Sequence, residues 1–150
     1  MEQDPGVRML KAYALVVILV AAAGACLVGC APKFESQGAL SIGGAPFRPT
    51  VCHVLTSCTG IELSDGTGAR LTLTLPPQRL DAFEDITGVP SLTFDPGAGK
   101  PPFAASACGS LTLTGEGYHG SGKRAASGRA ELSCSGDSEV QGDLKFKGCF

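Results

Sequence analysis

Seven cysteines are the residues of this chain best able to make covalent bonds, and they fall into two groups. Cys26 and Cys30 lie within and just after an apolar run from Ala12 to Val28, whereas Cys52, Cys58, Cys108, Cys134 and Cys149 are spread through a polar, glycine-rich remainder. A thiol can attack a substrate, ligate a metal, pair with a second thiol or be alkylated, and its spacing and compartment decide which. Zinc is disfavoured. Five residues separate Cys52 from Cys58, no Cys-x-x-Cys pair occurs, and zinc knuckles space their cysteines by two to four. A Cys–His dyad can be drawn from Cys52 and His53, yet neighbours in a strand point to opposite faces. The other histidine, His119, is distant in sequence, and no Gly-x-Ser-x-Gly, His-Glu-x-x-His or Walker-type string occurs. Asp81, Glu84 and Asp85 form an acidic cluster, read as solvated surface rather than as glycan or calcium chemistry. The expectation is no catalytic residue, no metal site and no enzyme activity.

Cys30 is different. The string Leu27-Val28-Gly29-Cys30 resembles the bacterial lipobox, whose cysteine accepts a diacylglycerol while the peptide bond before it is cut. Arg8 and Lys11 provide the positive flank of a secretory leader, followed by seventeen uncharged residues. Glu2 and Asp4 are out of place in such a flank, and Met9 makes a tidier start. A run of that length falls just short of the ~20 residues that span a hydrocarbon core, so length alone leaves a spanning anchor open. The thiol at its end favours lipidation. Cys26 is the poorer acceptor because Ala23-Gly24-Ala25 lacks a branched residue at the outer position. Residues 1–29 are therefore expected to be a helical lipoprotein signal, with Cys30 carrying a diacylglycerol and an N-acyl chain and no other cofactor. Two or more chains hold stably, at ~0.8 kcal/mol per buried methylene, where one holds only reversibly. The expected address is the bacterial envelope, and Ala31 in place of aspartate points, by resemblance to enterobacterial sorting rules, to the outer membrane.

From Cys30 to Phe150 the chain has 121 residues, enough for one domain. With Glu2, Asp4, Arg8 and Lys11 in the leader, ten basic and twelve acidic residues remain, a net charge of −2. That balance excludes nucleic acid as an expected partner; the partners expected are the membrane, through the Cys30 lipid, and an envelope protein. There is no tryptophan and aromatic content is 6%, so the core must be thin, and small exported domains commonly add disulfides. Five cysteines beyond Cys30 allow at most two bridges, and each choice of odd thiol leaves three connectivities for the other four. The preferred pairs are Cys108 with Cys134 and Cys52 with Cys149, because each of these borders or ends a strand-like run while Cys58 lies in Thr56-Ser57-Cys58-Thr59-Gly60. Loops of these lengths would stabilise by roughly 3–5 kcal/mol each.

The hydrophobic period is two almost wherever one exists. Leu71, Leu73 and Leu75 alternate with threonines, as do Leu111 and Leu113; Ala130, Leu132 and Cys134 alternate with Glu131 and Ser133; Leu144 and Phe146 alternate with lysines. Shorter strands are expected at 39–42, 60–63 and 91–94, separated by turn clusters at 64–68, 95–99 and 135–137. The fold class predicted is mainly β, a small antiparallel sandwich or barrel-like domain, over residues 38–150, with residues 30–37 as a short tether. Two stretches are less regular. Gly115 to Gly128, with Tyr118, His119, Lys123 and Arg124, is a long loop candidate that reads as a solvated hairpin connection or, in a sharper reading, a ligand-contacting loop; and Leu80 and Phe83 stand three apart in a segment that suits a helical turn as well as a strand.

The segment Gly38-Ala39-Leu40-Ser41-Ile42-Gly43-Gly44-Ala45-Pro46-Phe47-Arg48-Pro49-Thr50-Val51-Cys52 resembles the opening of small lipoproteins of myxobacteria and related GC-rich bacteria. Cys108-Gly109-Ser110-Leu111, Ala130-Glu131-Leu132-Ser133-Cys134 and Leu144-Lys145-Phe146-Lys147-Gly148-Cys149 look like that family's later cysteine-bearing strands. Cys58 has no counterpart there, which implies that it is the unpaired thiol. In plan alone, a lipobox, glycine-rich strands and a near-terminal cysteine, the chain is similar to the mycobacterial 19 kDa lipoprotein antigen family. Neither resemblance implies catalytic residues. The function expected is a non-enzymatic interaction or accessory module on a lipid anchor; the alternative is a carrier of a small apolar or envelope-derived ligand between two sheets.

Overall fold

A computed structural model describes residues 33–56, 59–105, 108–118, 124–135 and 139–150. The leader, Cys30, Cys58, His119 and Lys123 lie outside the described residues. Among those described, eleven strands form: β1 (Glu35–Ile42), β2 (Ala45–Phe47), β3 (Val51–Val54), β4 (Gly60–Ser64), β5 (Arg70–Thr74), β6 (Asp85–Gly88), β7 (Ser91–Asp95), β8 (Phe103–Ala105), β9 (Ser110–Tyr118), β10 (Arg124–Cys134) and β11 (Val140–Cys149). They build two sheets, in the orders β2-β1-β11-β10-β9-β6 and β3-β4-β5-β7-β8, with every strand pair antiparallel. The result is a small β-sandwich.

Alternation explains the layers. Leu71 and Leu73 in β5, Ile61 and Leu63 in β4, and Leu111 and Leu113 in β9 are all fully buried, while the threonines and glutamate between them face outward. Each fully buried leucine contributes about 1.5–3 kcal/mol. At one corner an aromatic cluster joins the layers: Phe47 of β2 meets Phe94 of β7 edge-on at 5.9 Å, and Phe94 meets Phe103 of β8 at 5.5 Å. Such pairs add to the area they bury.

Three expectations need correction. The first strand begins at Glu35, not Gly38: residues 35–37 pair with Lys147, Phe146 and Lys145. Residues 35–39 overhang the core and are exposed, so pairing there leaves no alternation to read. The hairpin connection expected from Gly115 to Gly128 is shorter than that: β9 runs to Tyr118 and β10 starts at Arg124, so much of the stretch is strand. Its pairing is irregular: Ala125 opposes Gly117 and Ala126 opposes Gly115, leaving Glu116 as an extra residue. The segment 77–83 is neither helix nor strand. Leu80 packs on the core, Ala82 makes an isolated bridge to Gly115, and Phe83 points to solvent.

A second bulge controls the junction between sheets. Ala126 opposes Cys149 while Gly128 opposes Phe146, so three steps along β11 match two along β10. The extra step falls at Gly148, whose φ of 72° is left-handed, a conformation glycine adopts freely and other residues rarely. Leu144 and Phe146 point into the core, so simple alternation would turn Cys149 outward; after the bulge it is fully buried. Gly148 also sits so close to the chain's first described residue that an added Cβ would lie 2.7 Å from the Lys33 carbonyl oxygen. Gly44, at φ 79° in the β1–β2 turn, has nothing within 4 Å of such an atom. Gly44→Ala should therefore cost only the left-handed backbone term, about 1–2 kcal/mol. Gly148→Ala adds displacement of the Lys33 carbonyl and should cost about 2–4 kcal/mol. Urea unfolding of the two variants measures the difference; equal losses would contradict the role given to the bulge.

Candidate functional site

Strand pairing brings the cysteines together. Cys52 in β3 meets Cys149 at the end of β11, with Cα atoms 4.7 Å apart, and Cys108 before β9 meets Cys134 at the end of β10, at 4.8 Å. Both spacings suit a disulfide, and all four residues are buried. These are the two pairs preferred from the sequence. Cys108–Cys134 ties neighbouring strands of one sheet; Cys52–Cys149 ties the two sheets to each other.

Around the second bond the backbone also crosses between layers. Phe150 N–H donates to Cys52 O at 3.2 Å, and Val54 N–H donates to Phe150 O at 3.1 Å. His53 Nδ1 lies 3.1 Å from that same carbonyl, and since a carbonyl only accepts, Nδ1 carries the hydrogen there. His53 thus faces the Phe150 backbone, while the sulfur of Cys52 is bonded to Cys149 and has no thiolate to offer. The drawn dyad is chemically idle.

The acidic cluster disperses in the same way. Asp81 pairs with Arg79 at 2.6 Å, Asp85 accepts from the Thr114 hydroxyl at 2.6 Å, and the Glu84 backbone accepts from Gly115 N–H at 3.2 Å. Among the described residues no group of three His, Cys, Asp or Glu side chains could hold a metal ion.

What the sequence did not reveal is a charge lattice on the outer face of the six-stranded sheet. Glu131 stands directly opposite Asp143, and Arg129 directly opposite Lys145. Like charges facing across strands repel. Arg129 resolves this by reaching along and across the strands at once: it pairs with Glu131 at 2.6 Å and forks onto Asp143, with Nε 3.0 Å from Oδ1. The hydrogen bond from Arg129 holds the Asp143 carboxyl below its ordinary range, against a smaller opposing effect of desolvation, and the same bond raises Arg129. Farther along, Lys147 pairs with Glu35 at 3.2 Å. The cross-strand partners, Asp143 for Arg129 and Glu35 for Lys147, follow from register, which residue spacing does not disclose.

That face carries an open groove of about 500 Å³, whose walls include Glu35, Gln37, Thr114, Arg129, Lys145 and Lys147. A smaller hollow of about 200 Å³ lies at the end of the same sheet beneath residues 79–82, bordered by Arg124 and Ala125. What the groove offers is alternating charge on the outer face of the six-stranded sheet. No protein-family model, curated protein or solved structure matches this chain.

The lattice has a pH signature. Because the folded pKa of Asp143 is depressed, its charge stabilises fully above the ordinary aspartate value, and that contribution is lost as pH falls through the lower folded value. Asp143→Asn should therefore lower the urea midpoint at pH 7, and the gap to the unsubstituted protein should close below about pH 4. A gap that stays constant into acid would contradict this assignment.

Proposed function

We propose that this chain is a lipid-anchored lipoprotein of the bacterial envelope, held at the outer membrane by acyl chains on Cys30, whose domain is a non-enzymatic interaction module. The observation that carries the reading is the string Leu27-Val28-Gly29-Cys30 three residues before Lys33, where the compact β unit begins. An apolar leader ending in such a cysteine, followed at once by a disulfide-bonded sandwich, fits export to an oxidising compartment.

Several features support a module rather than a catalyst. The sulfur of Cys52 is consumed in a bond and His53 is turned to the Phe150 backbone. On the six-stranded sheet Arg129 pairs with Glu131 and Asp143, and Lys147 with Glu35, a pattern that gives a protein partner register and selectivity more than raw affinity. The carrier alternative has less behind it. The space between the sheets is filled by Leu63, Leu71, Leu73, Leu92, Leu111, Leu113 and Leu144, each at most 1% exposed, and the groove and hollow lie outside that core.

Intact-mass spectrometry of protein purified from its own host tests the reading. The expected species begins at Cys30, carries the added mass of acyl chains, and lacks the hydrogens lost in two disulfides. A chain of unmodified mass retaining residues before Cys30 would refute it.

A further inference from the structure

We propose that the end of the six-stranded sheet from which the tether leaves is a bilayer-contacting surface, with Phe83 as its apolar wedge; this rests on lipidation at Cys30. Phe83 is 85% exposed, the most solvent-facing large apolar residue among those described. It is not loosely placed. Its φ of 62° is left-handed, uncommon for an aromatic residue, and the turn is held by Phe83 N–H donating to Gly115 O at 2.6 Å and by the pairing of Ala82 with Gly115. A backbone strained to hold an aromatic ring in water suggests a use for that ring.

Register locates the ring relative to the tether. Glu35, the first residue of β1, pairs with Lys147 of β11; two residues on, Cys149 opposes Ala126 of β10, and Ala126 opposes Gly115 of β9, to which Phe83 is bonded. The start of β1 and Phe83 therefore lie near the same end of the strands, about 19 Å apart across four strand spacings. Only three residue steps separate Cys30 from Lys33, a reach of at most about 11 Å. Acyl chains on Cys30 hold this end close to the lipid surface, so an exposed phenyl ring there meets the boundary between headgroups and acyl chains. The occupant is the phospholipid bilayer that holds the anchor.

The chain has no tryptophan, so one introduced indole reports alone. Mature protein beginning at Cys30, made in its own host and carrying Phe83→Trp, would be reconstituted into phosphatidylcholine vesicles with brominated acyl chains, beside a Ser135→Trp control past the opposite end of β10. The expected result is flotation of both variants, with a blue-shifted emission and about twofold or more stronger quenching at position 83. Flotation with equal quenching at the two positions overturns this inference and leaves the anchor intact. Host-made protein that carries no acyl chain on Cys30 and does not float with the vesicles overturns the anchor and this inference with it.

Discussion

The bond between Cys52 and Cys149 is the constraint on which the rest of this structure depends. It links an edge strand of one sheet to an interior strand of the other, with a sequence separation of 97. Cys149 can make it only because β11 changes phase at Gly148, so a single left-handed glycine decides whether the last strand closes the sandwich or leaves it open. The hydrogen bonds of Phe150 to Cys52 and Val54 extend the closure beyond the sulfur atoms. At another corner, Phe47, Phe94 and Phe103 hold the layers by packing alone. A domain without tryptophan needs both kinds of contact, since its leucine core is thin and its surface polar.

Chemistry and architecture are linked by what this closure uses up. The sulfur that a dyad would need is the one that staples the sheets, and the histidine beside it is turned to backbone. On the outer face, charge is likewise committed. Arg129 offsets the opposition of Glu131 and Asp143, and Lys147 offsets Glu35. A surface built this way is patterned by register, with opposite charges held in pairs along and across its strands.

Much of the fold was legible because alternation survives wherever a strand has one face on the core. Leu71 and Leu73, Leu111 and Leu113, Ala130 and Leu132, and Leu144 and Phe146 all read as half-buried strands and are so. The failures share a cause. Residues 35–37 pair beyond the core, so both their faces are wet and polarity mimics a tether. Between Gly115 and Gly128 the bulge at Glu116 and the small residues Ala125 and Ala126 erase the period that an unbroken hairpin would show. β2, β6 and β8 have three or four residues each, too few for a pattern to rise above its surroundings. Leu80 and Phe83 suggested one helical face, whereas a left-handed turn sends them in different directions. The charge lattice was illegible for another reason: partners such as Arg129 and Asp143 meet through register, and register is a tertiary property.

The most direct measurement compares the two bridges in the whole protein by denaturant unfolding. Removing Cys52–Cys149 with paired serines, against removing Cys108–Cys134 in the same way, separates the junction from a local tie. Separations of 97 and 26 residues predict losses of about 5 and about 3.5 kcal/mol in the chain-entropy model, with further loss at the junction because the contacts of Phe150 go with it. A smaller loss at Cys52–Cys149 than at Cys108–Cys134 would contradict the claim that this bond holds the two sheets together.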